Sequence, residues 1–352
     1  MRYYLECLQC HERYDSSYDR QICKKCGGLL EVCYIGEIPS IKSSGSYWEY
    51  EPVLPECCYR HYELGSTKLI RSQEYDNVFL KLEIENPTHS FKDRGSIIEV
   101  CKAASYGKTE IAIASTGNMA YSVAYYAKLA GMCVRTFISS DANRDKVKDI
   151  RSVGDAAVDR VNGDFNKAQK LAIRYSEKTG AFLAGDYCYR KEGQKTLGYE
   201  LVDQLPGLTH IVVPVGNGTL ISGIYKALKE MKAVGKIGAM PAIVAVQSEG
   251  SDPVVTAFRR NEEIRYVLPQ TAADAIAVGF PTFGNQALEA LRETKGNAIA
   301  ANDSKLKEEQ GKFYETYGLV AELAGVAGLA AIRRMNFDEE DKIAVIITGG
   351  NV

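Results

Sequence analysis

From Val78 onward, short apolar runs alternate with amphipathic segments, and this alternation constrains the fold more than any other feature. "VFLKLEI", "EIAIAS", "CVRTFI", "AAVDRV", "HIVVPV", "AIVAVQS" and "KIAVIIT" have the length and the apolar bias of strands buried on both faces. Residues 119–130, 165–178 and 303–317 carry apolar positions at helical spacing instead. A chain that repeats strand, helix, strand builds mainly parallel, twisted sheets flanked by helices, so an α/β fold is expected. At 352 residues it has material for two domains. In such sheets ligands collect at the carboxyl ends of the strands, which directs attention to the turns just after them.

Composition narrows the function classes. The chain is 45% hydrophobic and 25% charged with a formal net charge of -2, which gives no reason to expect nucleic acid as a partner. There is no apolar run of about eighteen residues to cross a membrane, and "MRYYLECLQC" lacks the apolar core of a secretory signal. A soluble, cytoplasmic protein is the expectation. Ten cysteines in a long chain without an export signal are expected to be mostly reduced. Four of them are patterned: Cys7 and Cys10 form one C-x-x-C, Cys23 and Cys26 a second, and twelve residues lie between the pairs. Two such knuckles suit a tetrahedral four-thiolate zinc site, with Gly27 and Gly28 letting the backbone turn its N–H groups toward sulfur. With no open coordination position, that Zn2+ would be structural.

Three turns that follow strands stand out. "ASTGNMA" offers Ser115, Thr116 and Asn118 at a helix start. "VPVGNGTLISG" combines close-approach glycines, Gly216 and Gly218, with the helix-start N–H groups of Asn217, Gly218, Thr219 and Leu220, an anion-binding arrangement. "VIITGGNV" ends a strand on Thr348. Upstream, "ENPTHSFKDRGS" sets Lys92 between a loop and a helix start. An aldehyde cofactor with a phosphate needs an amine for a Schiff base, a phosphate cradle, a donor to its phenolic oxygen and a partner for its ring nitrogen. Lys92, the loop at residues 216–220, Asn118 and Thr348 answer those needs in that order. Asp93 and Arg94 read as helix-start charges, Asp93 favoured there by the dipole.

"NPTHSFKDRG", "STGN", "EGQKTLGYEL" and "GLVAELAGVAGLAA" resemble segments of threonine synthase, within the pyridoxal-phosphate family that includes tryptophan synthase β, serine/threonine dehydratases and cysteine synthases. The resemblance implies a two-domain fold type II enzyme using pyridoxal 5'-phosphate on a small amino-acid substrate, with an N-terminal zinc ribbon as in many threonine synthase-like proteins, cysteate synthases among them. It implies that Lys92 carries the cofactor, Asn118 contacts its phenolic oxygen, residues 216–220 bind its phosphate and Thr348 meets its pyridine nitrogen. It also implies a homodimer. Expected domains are a ribbon at 1–36, a small domain at 95–186, and a large cofactor-binding domain formed by 37–94 and 187–352.

Departures from the threonine synthase pattern bear on the substrate. Where those enzymes have Gly-Ser-Phe-Lys this chain has His89, Ser90, Phe91 and Lys92; after the Asn of "STGN" it has Met119 for a phosphate-holding Thr; and it has Ala184 and Gly185 for an Asn-Ser pair. Arg190 remains. A buried substrate phosphate would miss donors worth about 1–3 kcal/mol each. The glycine loop and "TGGNV" look closer to dehydratases. Substrate contacts are therefore assigned to Ser115, Thr116, Asn118, His89 and Arg190, with His89 equally readable as a plain loop residue. Elimination or replacement at the β or γ carbon is the expected chemistry. Phosphoserine β-replacement, serine/threonine dehydration and cofactor binding without catalysis are the alternatives.

Overall fold

The computed structural model describes all residues except 40, 42–44, 60, 61, 116, 140–143, 154, 155, 164 and 352. At the amino terminus β1 (Tyr3–Cys7), β2 (Arg13–Asp15) and β3 (Leu30–Tyr34) form an antiparallel sheet in the order β2-β1-β3. Next come β4 (Leu69–Arg71), β5 (Val78–Leu82), α1 (Lys92–Ser105), β6 (Glu110–Ala114) and α2 (Asn118–Leu129). They are followed by β7 (Cys133–Ser139), α3 (Arg144–Ser152), β8 (Ala156–Val161), α4 (Phe165–Thr179), β9 (Phe182–Ala184) and α5 (Cys188–Gln204). The rest alternates in the same way: β10 (His210–Pro214), α6 (Thr219–Ala233), β11 (Ala242–Ser248), α7 (Pro253–Arg260), α8 (Gly284–Glu293), β12 (Asn297–Ala301), α9 (Asp303–Tyr317), α10 (Ala327–Ile332) and β13 (Ile343–Ile347). Among the described residues no helix is long and apolar enough to cross a membrane.

Packing divides the chain into two units, one of Met1–Ile41, Tyr47–Leu64 and Lys92–Gly193, the other of Lys42–Ser46, Gly65–Phe91 and Gln194–Val352. The first holds the amino-terminal sheet and a parallel sheet ordered β8-β7-β6-β9. The second is built on the sheet β12-β11-β10-β13-β5-β4, parallel except where β4 pairs antiparallel with β5. Its central strand β13 is buried at every position, as its unbroken apolar run requires.

These units differ from the expected boundaries: the ribbon joins the small domain, and residues 37–41, 47–64, 92–94 and 187–193, expected in the larger domain, fall in the first unit. The amino-terminal sheet is not free-standing: Leu5, Leu30 and Val32 share one buried core with Ile97, Ile111 and Val123. Residues 47–64, expected in the larger domain, pack with the first unit because Tyr47 and Tyr50 are each 1% exposed and Tyr47 Oη donates to Arg94 O at 2.8 Å. The stretch up to Gly193 stays with the first unit because α5 lies against α1. A Cβ on Gly193 would fall 1.9 Å from Arg94 O, and one on Gly95 would fall 2.7 Å from Arg190 Cγ, so only glycines allow this crossing. Eight cysteines form no disulfide, and a disulfide joins Cys57 to Cys101.

Candidate active site

In the second unit β5, β13 and β10 are neighbours running in parallel, so the segments after them emerge at one end of the sheet. After β10, Gly216 and Asn217 lead to Gly218, which takes a left-handed φ of 82° as N-cap of α6. A Cβ there would meet Phe283 O at 2.9 Å, and one on Gly216 would meet Ala275 O at 3.1 Å. A side chain at Gly218 would collide with the segment packed against the loop, and one at Gly216 would press on it. That segment holds the loop in turn: Phe283 N–H donates to Asn217 O at 2.8 Å, and Thr282 Oγ1 donates to Asn217 Oδ1 at 3.3 Å. The first i→i−4 bond of α6 is made by Ser222 N–H to Gly218 O at 3.1 Å, so the N–H groups ahead of it, including those of buried Thr219 and Leu220, face out of the positive helix end.

After β13, Thr348 is 3% exposed. Its carbonyl accepts Phe91 N–H at 3.1 Å and Ser90 Oγ at 3.4 Å, and Ser90 bridges antiparallel to Gly349. Gly350 N–H donates to His89 O at 2.9 Å, and Asn351 Nδ2 to Thr88 O at 2.8 Å. The peptide that enters Lys92 is therefore laced to the strand end that carries Thr348. His89 has a φ of 55°, a conformation that costs glycine nothing and that histidine adopts more readily than most residues. Its Nδ1 lies 3.2 Å from Ile84 O, and since a carbonyl only accepts, Nδ1 is the donor. Its side chain is exposed.

In the first unit Lys92 opens α1 and is half-buried. Behind it Asp93 Oδ1 accepts from Ser122 Oγ at 2.6 Å, and Ser122 Oγ also meets Ser96 Oγ at 2.8 Å, tying α1 to α2. Ser115 and Asn118, 8% and 9% exposed, follow β6, with Asn118 as the first residue of α2 and Gly117 N–H donating to Ser115 Oγ at 3.4 Å. Thr116 lies outside the described residues. Gly185 follows β9, the strand beside β6, and leads to α5. Arg190, expected at the substrate, has a side chain that is 0% exposed and ion-paired with the equally buried Glu99. Sequence reasoning did not identify Glu99, and the only signal was an acid on the apolar face of α1.

The four patterned cysteines also lie in the first unit, with all Sγ atoms within 4.8 Å of one another. Sγ separations are 3.5 Å for Cys7 and Cys26, 3.6 Å for Cys10 and Cys23, and 3.4 Å for Cys10 and Cys26. Backbone N–H groups of Gln9 and Gly28 donate to Cys7 and Cys26 Sγ, each at 3.4 Å, and Gly27 turns the chain with a φ of 74°.

Similarity to known proteins extends over most of the chain. Residues 61–349 match the pyridoxal-phosphate dependent enzyme family. A threonine synthase from Methanosarcina acetivorans is 33% identical, covering 99% of this chain and 92% of its own length. An L-threonine ammonia-lyase from Thermotoga maritima is 31% identical over 78% of this chain and 67% of its own. Among solved structures, maize serine racemase superposes with a TM-score of 0.71 at 26% identity, covering 81% of this chain and 88% of that one. The chain belongs to the pyridoxal-phosphate-dependent enzyme family and is a threonine synthase-like, fold type II member of it.

Proposed function

We propose that the protein catalyses elimination or replacement at the β or γ carbon of a small amino acid, with Lys92 as the covalent anchor of pyridoxal 5'-phosphate and as the catalytic base. The observation that carries this is the lacing of Ser90 and Phe91 to Thr348 and Gly349, which ties the approach to Lys92 to the strand end beside the glycine loop. The residues fit the cofactor: an amine at Lys92, a helix-start cradle with no room for a side chain at Gly218, and a buried neutral hydroxyl at Thr348. In this reading Gly216, Asn217, Gly218, Thr219 and Leu220 hold the phosphate, Asn118 donates to the phenolic oxygen and Thr348 faces the ring nitrogen.

When bound, the cofactor supplies an electron sink that acidifies the substrate's Cα–H. The Lys92 amine would hold the cofactor and, when free, would serve as the base for that α-proton. Ser115 and Asn118, at the amino end of α2, hold the substrate carboxylate with hydroxyl, amide and helix-start N–H donors. Thr348 carries no charge, so it does not hold a proton on the ring nitrogen as a carboxylate would; this favours prompt loss of a leaving group over amino-group transfer. A dehydratase reading of the same site is supported by the glycine loop and the Thr-Gly-Gly-Asn ending, and by the ammonia-lyase among the relatives.

The cysteine cluster supports a structural zinc: its Sγ separations approach the ~3.8 Å edge of a tetrahedron built on ~2.3 Å Zn–S bonds. A cytoplasmic homodimer completes the proposal. To test the function, cofactor-loaded protein is mixed with serine, threonine, phosphoserine and homoserine phosphate, and 2-oxo acid, ammonia, inorganic phosphate and threonine are measured. Consumption of at least one substrate is expected. No consumption by protein that has taken up cofactor would leave a binding protein without catalysis.

A further inference from the structure

Arg190 sits in the first turn of α5, just after β9, where a cation would ordinarily be read as an anion ligand. Its guanidinium is already spent inside the first unit. Nε donates to Gly185 O at 2.9 Å, Nη1 to Lys92 O at 3.4 Å and to Ser96 Oγ at 3.3 Å, and Nη2 to Ser96 Oγ at 3.3 Å and to Glu99. All three nitrogens are used, and the Arg190 and Glu99 side chains are both 0% exposed.

The helix crossing keeps them there. With Gly95 and Gly193 at the contact, α5 presses on α1 closely enough that a methyl group at either position would strike Arg190 or the Arg94 carbonyl. Arg190 thus lies along the first two turns of α1, from the carbonyl of Lys92 to the carboxylate of Glu99. Turning it toward a substrate phosphate would take from buried Glu99 its charged partner and leave it the Gly185 N–H at 2.8 Å, a cost that any phosphate contact would have to offset. Among the described residues, Ala184 and Gly185 offer no polar side chain, and Met119, 7% exposed, follows Asn118 in α2.

We infer that Arg190, held by Glu99, is a positioning residue that locks the start of α1 behind Lys92, and that the substrate is consequently an amino acid without a phosphate group. This rests on the amino-acid chemistry proposed above. The experiment uses the cofactor-loaded protein and compares serine and threonine with phosphoserine and homoserine phosphate, in wild type, Arg190→Lys and Glu99→Gln. Wild type is expected to favour an unphosphorylated substrate at least tenfold in kcat/KM. Both variants should lower kcat by a common factor on every substrate consumed, leave KM within about twofold, and shift the pH at which the absorbance of the Lys92-bound cofactor changes.

A smaller wild-type preference, or one for a phosphorylated substrate, overturns the inference without needing either variant to fold. So does a KM increase in Arg190→Lys confined to phosphorylated substrates. Failure of the underlying reading looks different: no amino acid is consumed and borohydride leaves Lys92 unlabelled, a result that removes the positioning role as well.

Discussion

Replacing Gly193 with alanine puts the helix crossing behind Lys92 to the test. An added Cβ would lie 1.9 Å from Arg94 O, 2.7 Å from Arg94 C and 2.8 Å from Gly95 Cα. Ordinary contacts between such atoms are near ~3.5 Å, so the two helices must part by on the order of 1.5 Å. The obstacle is backbone on both sides, and no side-chain rotation relieves it. Separation would stretch the bonds from Arg190 to Ser96, Glu99 and the Lys92 carbonyl. Overpacking of this kind costs about 1–3 kcal/mol, and weakening a buried ion pair adds to it, so a loss of about 3 kcal/mol or more is expected. Urea unfolding followed by circular dichroism measures it. Gly311→Ala is the control: Gly311 lies in α9 with nothing within 4 Å of an added Cβ, and the same change there should stabilise by about 1 kcal/mol through helix propensity. The reasoning is refuted if Gly193→Ala unfolds within about 0.5 kcal/mol of wild type and takes up cofactor equally well.

Gly218→Ala forces a methyl group onto Phe283 O from a left-handed backbone, so cofactor affinity should fall at least tenfold in a fluorescence titration; unchanged affinity would move the phosphate elsewhere. Metal analysis should return about one zinc per chain. Because Leu5, Leu30 and Val32 belong to the core of the first unit, chelation should lower Tm, and metal-free protein with an unaltered Tm would reduce the four cysteines to packing. Burial raises the Glu99 carboxyl from 4.5 to about 7, against the pull of Arg190 and the Gly185 N–H and with a push from Asp186. The folded state thus binds the extra proton between those values, so this group's contribution to stability is complete below pH 4.5 and is lost as pH rises through about 7. Relative to Glu99→Gln, wild type should lose up to about 3 kcal/mol from pH 5 to 8 in urea titrations, and a constant difference would contradict the assignment.

Strands rich in β-branched residues, such as β10 and β13, were legible because burial on both faces leaves an unbroken apolar run. Others, β9 and β12 among them, were not. The run "NAIAA" of β12 is too small-sided to distinguish from a helix, and β9 is three residues long. The glycine loop and Thr348 could be singled out because turns at the ends of parallel strands leave a local signature in the sequence. The pairing of Arg190 with Glu99 could not, since the partners are 91 positions apart and meet only where two glycines let helices touch. His89 was visible as an unusual residue, but its positive φ is a property of the backbone and emerges only in the fold. Tyr47 and Tyr50 follow no period that would mark them as core, and it is tertiary packing that buries them.

The most direct test of the account is borohydride reduction of the cofactor-loaded protein followed by peptide mapping. The account predicts about one reduced cofactor per chain, on the peptide containing Lys92, and none in Lys92→Ala. Label on another lysine, for instance the fully buried Lys81 or Lys195, or no label at all, would contradict it.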